Sequence, residues 1–193
     1  MTFTKFQFNN FCYWPSNPKK IVEFIGGSYL ASKPDLTYRR FIESLINKNY
    51  AVHAYKYTPQ FDHQQLAIKA WKDFKNCRIS LSKRIGASIP SIRIGHSLGC
   101  KLHLISPDGG RNCEKFISIS FNNFSANKSI PLLKQISQKL EFKSEFSPSP
   151  ERTLRLIEKT YSQKNNFLIK FNSDELDQTC LLYTSPSPRD TPQ

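Results

Sequence analysis

Gly95-His96-Ser97-Leu98-Gly99 decides the reading of this chain. Ahead of it runs Ser91-Ile92-Arg93-Ile94, short and β-branched like a buried strand. Behind it runs Cys100-Lys101-Leu102-His103-Leu104-Ile105, which can continue as a helix. A G-x-S-x-G between strand and helix predicts a sharp turn that strains the serine backbone and exposes its hydroxyl. Glycine-sized neighbours let the chain fold that tightly. Ser97 is therefore the candidate nucleophile.

Such a turn is the nucleophile elbow of the α/β-hydrolases. At neutral pH its serine needs a base. In this fold the base is a histidine that follows the acid, late in the chain. The four histidines are His53, His63, His96 and His103, and none lies late enough. His96, just before the serine, is expected to pack rather than react, and His103 to sit on the helix near the core.

Outward from the elbow, strand and helix patterns alternate. Residues 21–25 read as a strand stopped by Gly26-Gly27. Thr37 can cap a helix whose stripe is Tyr38, Phe41, Ile42, Leu45 and Ile46. A strand over 51–57 ends at Pro59, and Asp62 can cap a helix carrying Leu66, Ala67, Ala70, Trp71 and Phe74. Residues 115–120 alternate as a strand, 130–140 and 151–161 read as helices, and 166–171 read as the last strand. This spacing predicts an α/β fold with a doubly wound, mostly parallel sheet. The expected fold is that of the α/β-hydrolases as one domain over 1–179, expected to be incomplete at its C-terminus. Residues 121–150 are either a cap insertion or an irregular connection.

The remaining candidate residues follow from position. The oxyanion hole of this fold uses the backbone N–H after the serine, here Leu98, and one from the loop after an early strand. Gly27, within Gly26-Gly27-Ser28, supplies the second, although paired glycines also suit a plain tight turn. Asp174 lies where the acid belongs, though it could merely cap a turn, and Asp177 reads as a surface carboxylate. Ser28, Asp62 and His63 lie where a substrate could be touched, and Asp62 also suits a helix cap.

The net charge of +13 over 193 residues comes from scattered lysines, with no block of like charge, so no nucleic-acid role is expected. An anionic substrate or an acidic protein partner stays open. No apolar run is long enough for a membrane span, and the N-terminus lacks a basic-then-apolar design, so a cytoplasmic protein is expected. Five cysteines without a C-x-x-C, and the absence of phosphate-binding glycine loops, predict free thiols, no metal and no cofactor. From Cys180 the pattern lapses, and 180–193 resembles one frame of a transposase sequencing adapter read as coding. The base histidine would then be lost with the native C-terminus, leaving this fragment inactive.

Four blocks also occur together and in this order in one family: Phe24-Ile25-Gly26-Gly27-Ser28-Tyr29-Leu30, Pro34-Asp35-Leu36-Thr37-Tyr38-Arg39-Arg40, Phe61-Asp62-His63 and Gly95 through Leu104. The chain resembles domain-of-unknown-function family 1350, α/β-hydrolase-like proteins of cyanobacteria and plant plastids. The resemblance covers roughly residues 11–179, with 172–178 similar to the acid region. It implies the hydrolase fold and a histidine further downstream, and it supplies no substrate. The expected function is a serine hydrolase or acyltransferase acting on an ester or thioester of a small acyl substrate. The alternative is a non-catalytic binding or assembly protein that keeps the fold and engages a protein partner.

Overall fold

Runs of buried β-branched and aromatic residues build the centre of the molecule. In the computed structural model, which describes residues 2–126, 145–171, 173–174 and 177–183, seven strands form one sheet. They are β1 (Thr2–Gln7), β2 (Asn10–Pro15), β3 (Ile21–Ile25), β4 (Ala51–Tyr55), β5 (Ser91–His96), β6 (Lys115–Ile119) and β7 (Asn166–Ile169). Their order is β1-β2-β4-β3-β5-β6-β7. β3 through β7 run parallel, while β1 pairs antiparallel with β2 and β2 antiparallel with β4. Every residue of β3 and β4 is buried, as expected of parallel strands covered on both faces.

Helices cover the two faces. On one lie α1 (Pro34–Thr37) and α2 (Arg39–Asn47), whose Ile42 and Phe41 pack with Val22, Phe24, Val52 and Ile94. On the other lie α3 (His63–Ile85), α4 (Leu98–Leu104) and α5 (Pro150–Thr160), where Leu66, Ala70, Phe74, Leu102 and Ile157 pack with Tyr55 and Phe116. Asp62 caps α3 by accepting from Gln65 N–H at 2.8 Å, and Gly86 ends it at φ 70°, the left-handed conformation glycine adopts freely. None of the helices among the described residues is long and apolar enough to cross a membrane.

A buried charge cluster ties the second layer to the sheet. Glu23 of β3 lies in register with Arg93 of β5 and accepts from its Nε at 3.2 Å. Arg93 donates twice to Asp108, beyond α4, at 2.8 Å each, and Arg78 of α3 pairs with the other oxygen of Glu23. Buried charges persist only when paired and hydrogen-bonded. Here two carboxylates meet two guanidinium groups.

The structure departs from the sequence pattern in several places. The β1–β2 hairpin was not legible: β1 is largely exposed, and its turn uses Phe8 and Asn9 at φ 46° and 52°, not an Asn-Gly signal. Thr37 does not cap a helix; its hydroxyl donates to Leu30 and Lys33 carbonyls, and the chain breaks at Tyr38 into α1 and α2. β4 ends at Tyr55, and Tyr57 instead sends its hydroxyl to Gly26 O at 2.9 Å. The helix expected over 130–140 lies outside the described residues. Where no pattern was expected from Cys180, a helical turn, α6 (Cys180–Tyr183), packs Leu181 and Leu182 against the core.

Two outcomes follow from this packing. Burial pulls the imidazoles of His53 and His103 down to about 3, with nearby Arg78 and Arg93 respectively adding to the effect. Both stay neutral in the folded state, so below about pH 6.5 the unfolded chain binds more protons and stability falls with pH. Each should remove about 2 kcal/mol between pH 7.5 and 5, measurable as a steepening loss of stability in urea titrations at stepped pH. A Gly99→Ala change should cost several-fold more than an ordinary surface substitution, since its Cβ would stand 2.0 Å from Ile25 O. Chemical denaturation of the variant reads that loss directly.

Candidate active site

The elbow is formed as its glycines require. Ser97 sits at φ 56° and ψ −121° between β5 and α4, strained for a residue with a side chain. Its N–H donates to Ile119 O at 2.9 Å, fixing the turn to the end of β6. A Cβ on Gly95 would lie 2.6 Å from the Cys100 backbone, and one on Gly99 would overlap the Ile25 carbonyl. Both positions admit glycine alone, because the start of α4 lies directly on β3 and β5.

Ser97 Oγ accepts a hydrogen bond from Asn122 Nδ2 at 2.7 Å. The segment carrying Asn122 is fastened to the region after β7. Gln178 N–H donates to Phe121 O and Asn123 N–H to Gln178 Oε1, both at 2.6 Å, and Phe121 N–H donates to Thr179 Oγ1 at 3.3 Å. Asn122 went unnoticed in the sequence because it falls in a stretch readable as an insertion. Its one signal was its position directly after a strand, at the edge where the elbow also opens.

Leu98 begins α4, so its N–H has no partner within the helix. Gly27 borders the serine: a Cβ added there would be 3.3 Å from Ser97 Cβ. Its N–H, however, donates to the Tyr38 hydroxyl at 2.9 Å, so the amide expected to hold an oxyanion is engaged within the protein. The next amide, Ser28 N–H, has no acceptor among the described residues. Tyr38, which the sequence placed in a core stripe, also bonds His96 Nδ1 at 2.8 Å.

All four histidines are placed, and none is hydrogen-bonded to Ser97. His53 accepts from Trp14 Nε1 at 2.9 Å in the core. His103 is stacked on Phe74, and His63 lies against Phe146 with ring centroids 4.2 Å apart. His96 packs beside the elbow as expected; burial lowers its pKa, and the charge of Asp174 opposes that shift. Asp174 thus stands near the elbow, in the turn after β7, where its N–H donates to Phe171 O at 3.1 Å. Asp177 is not the solvated carboxylate expected of it. Its Oδ1 accepts from Thr179 N–H at 2.7 Å, and its Oδ2 is buried without a partner. Burial pushes the Cys100 thiol up to about 12, and the charge of Asp177 adds to the effect.

A cavity of about 490 Å³ reaches Leu98 and Asn122, the neighbours of Ser97 in the chain and by hydrogen bond, and is within the size range of small-molecule sites. Leu98, Asn122, Ser28, Phe61, His63 and Lys101 are among its walls. Ser28 and His63 are thus brought to the site. Asp62 is not: its carboxylate is spent on capping α3. Lys101, buried at 1% exposure, was passed over in the sequence, although its place three residues after Leu98 puts both on one face of α4. No group of three or more His, Cys, Asp or Glu able to hold a metal occurs among the described residues.

Several solved structures with this architecture are described as an esterase, a lipase or a serine hydrolase. Carboxyl esterase 2 of the mycorrhizal fungus Tuber melanosporum matches with a TM-score of 0.56 at 15% identity, over 92% of this chain and 69% of that one. The Bacillus licheniformis lipase BlEst2 in its mature form matches with a TM-score of 0.55 at 14% identity, over 85% and 72%. The substrate-bound fluorophosphonate-binding serine hydrolase FphF of Staphylococcus aureus matches with a TM-score of 0.55 at 11% identity, over 95% and 83%. Comparison with curated protein sequences gives no match. The shared architecture is the α/β-hydrolase fold, and residues 6–186 match the family described as "Protein of unknown function (DUF1350)", to which the chain belongs.

Proposed function

We propose that the protein is a serine hydrolase or acyltransferase that cleaves an ester or thioester of a small acyl substrate with Ser97 as nucleophile. The observation that carries this reading is the strained backbone of Ser97, whose chain neighbour Leu98 and hydrogen-bond partner Asn122 both line a cavity.

In the proposed reaction Ser97 Oγ attacks the acyl carbon and its proton passes to a histidine base. The carbonyl oxygen becomes an oxyanion held by the Leu98 and Ser28 amides, and the alkoxide or thiolate leaves with the proton returned by the base. Water, or an acceptor hydroxyl or thiol, then releases the acyl group. The base is a histidine C-terminal to Asp174 that this sequence does not carry, and Asp174 orients it. The buried, unpartnered Oδ2 of Asp177 supports a second carboxylate close to that imidazole. Asn122 holds Ser97 Oγ in place until the base engages it.

The alternative, a binding protein on the hydrolase scaffold, draws on a different observation. No histidine present is hydrogen-bonded to Ser97, and the serine oxygen already accepts from Asn122. A fluorophosphonate probe separates the two readings. Protein carrying its native C-terminus should label at Ser97, and Ser97→Ala should lower labelling to background; equal labelling of the two would overturn the catalytic reading. Asp174→Asn should reduce the labelling rate by about ten-thousandfold with folding retained, as loss of an orienting carboxylate does in other triads. A rate unchanged in that variant but reduced in Asp177→Asn would move the acid to Asp177.

A further inference from the structure

The cavity beside Ser97 contains a cation that no step of the proposed reaction uses. Lys101 Nζ donates to Pro148 O at 3.0 Å and lies 5.9 Å from the centre of the Phe146 ring. An ammonium group has three donors, and among the described residues this one makes no other hydrogen bond and no ion pair. The nearest influence of opposite sign is Glu145, an exposed residue whose Oε1 accepts from the Ala126 and Phe146 amides. No carboxylate is found among the cavity walls; the Tyr29 phenol aside, the other titratable wall residue is His63. Its Nδ1 is buried and unpartnered, and the residue is 3% exposed.

This arrangement is costly unless something completes it. Burying a charge without a hydrogen-bonded counterion is unfavourable, and elsewhere the protein avoids doing so, as the paired Glu23, Arg78, Arg93 and Asp108 show. A purely structural lysine, clamping α4 to the Pro148 carbonyl, would need only a neutral donor. Burial lowers the Lys101 pKa to about 8, with Glu145 opposing the shift, so the group is still largely an ammonium at pH 7. Burial also lowers His63 to about 3, with Lys101 adding to the effect, which leaves a neutral imidazole beside the ammonium. The net charge of +13 favours approach of anions. One ammonium and one neutral imidazole, set among Phe61, Phe124 and Phe146, suit a monoanionic carboxylate on an apolar stem better than a phosphate dianion, which calls for more donors.

We infer that the cavity takes an acyl group ending in a carboxylate, with Lys101 as its counterion, so that the substrate is a monoester or monothioester of a dicarboxylic acid. This rests on the acyl-transfer reading for the identity of the ester, while the carboxylate site rests on the cavity alone. Lys101 is then a specificity residue: it holds the far end of the acyl chain while the ester lies at Ser97.

Binding tests this without requiring turnover. Monomethyl glutarate and its uncharged near-isostere methyl 5-oxohexanoate are titrated into the protein and followed by ligand-observed NMR. At pH 7 the anion should bind about tenfold tighter, the worth of one partly desolvated charged contact. The preference should vanish in Lys101→Met, with binding of the neutral probe retained as the sign of an intact cavity. In the unsubstituted protein it should shrink as the pH rises from 7 to 10 and the ammonium is lost, which gives a reading even if Lys101→Met does not fold. Equal binding of the two probes, or a preference that survives Lys101→Met, would overturn the inference. A preference for the anion without fluorophosphonate labelling of Ser97 would uphold the carboxylate site and remove the acyl-transfer reading. Labelling without the preference would do the reverse.

Discussion

The close approach of α4 to the end of β3 governs everything at the candidate site. A helix can start against a parallel sheet at this distance only where one of its residues lacks a side chain, and Gly99 is that residue, over the Ile25 carbonyl. The approach forces the preceding residue into a positive φ and turns Ser97 out of the sheet. It also leaves the first amides of α4 directed at the space in front of the serine, where a helix start favours developing negative charge. A backbone contact between two elements thus sets the geometry of a hydroxyl, an amide and a cavity wall together.

The opposite requirement is met a few residues away in the same strands. Glu23 and Arg93 lie in the middle of β3 and β5, where every polar atom must find a partner, and four charges from two strands, a helix and a loop close on one another. Pairing is less complete elsewhere: Ser28 N–H after β3, His63 Nδ1 at the start of α3 and Asp177 Oδ2 after β7 have no partner among the described residues, and neither do His53 Nδ1, His103 Nε2 and Ser118 Oγ within the interior.

The elbow, the parallel sheet and the cap at Asp62 were legible because each rests on local chemistry: glycines at fixed spacing, buried β-branched runs, and a side chain that caps its own helix. What could not be read depended on contacts distant in sequence. Tyr38 looks like one more apolar position of a helix stripe, and only the folded chain brings its hydroxyl to Gly27, 11 residues earlier, and to His96, 58 residues later. Asn122 reaches Ser97 across 25 residues, and the loop that holds it is fastened by Gln178 and Thr179. The β1–β2 hairpin escaped notice for a local reason, since an exposed strand has no buried face to pattern it and Phe8 is an unusual residue for its turn.

The Tyr38 hydroxyl has one proton and accepts one, and this fixes the tautomer of a neighbouring ring. Because it already accepts from Gly27 N–H, its own proton goes to His96 Nδ1. Burial keeps that imidazole neutral, so its remaining proton resides on Nε2. The glycine loop, the phenol and the imidazole therefore form a directed chain in which every donor points toward His96. A phenylalanine at this position would preserve the apolar packing on Phe24 and yet strand two polar groups at once. The ring that looks like core filling is what holds the glycine loop and the elbow in a single electrostatic alignment.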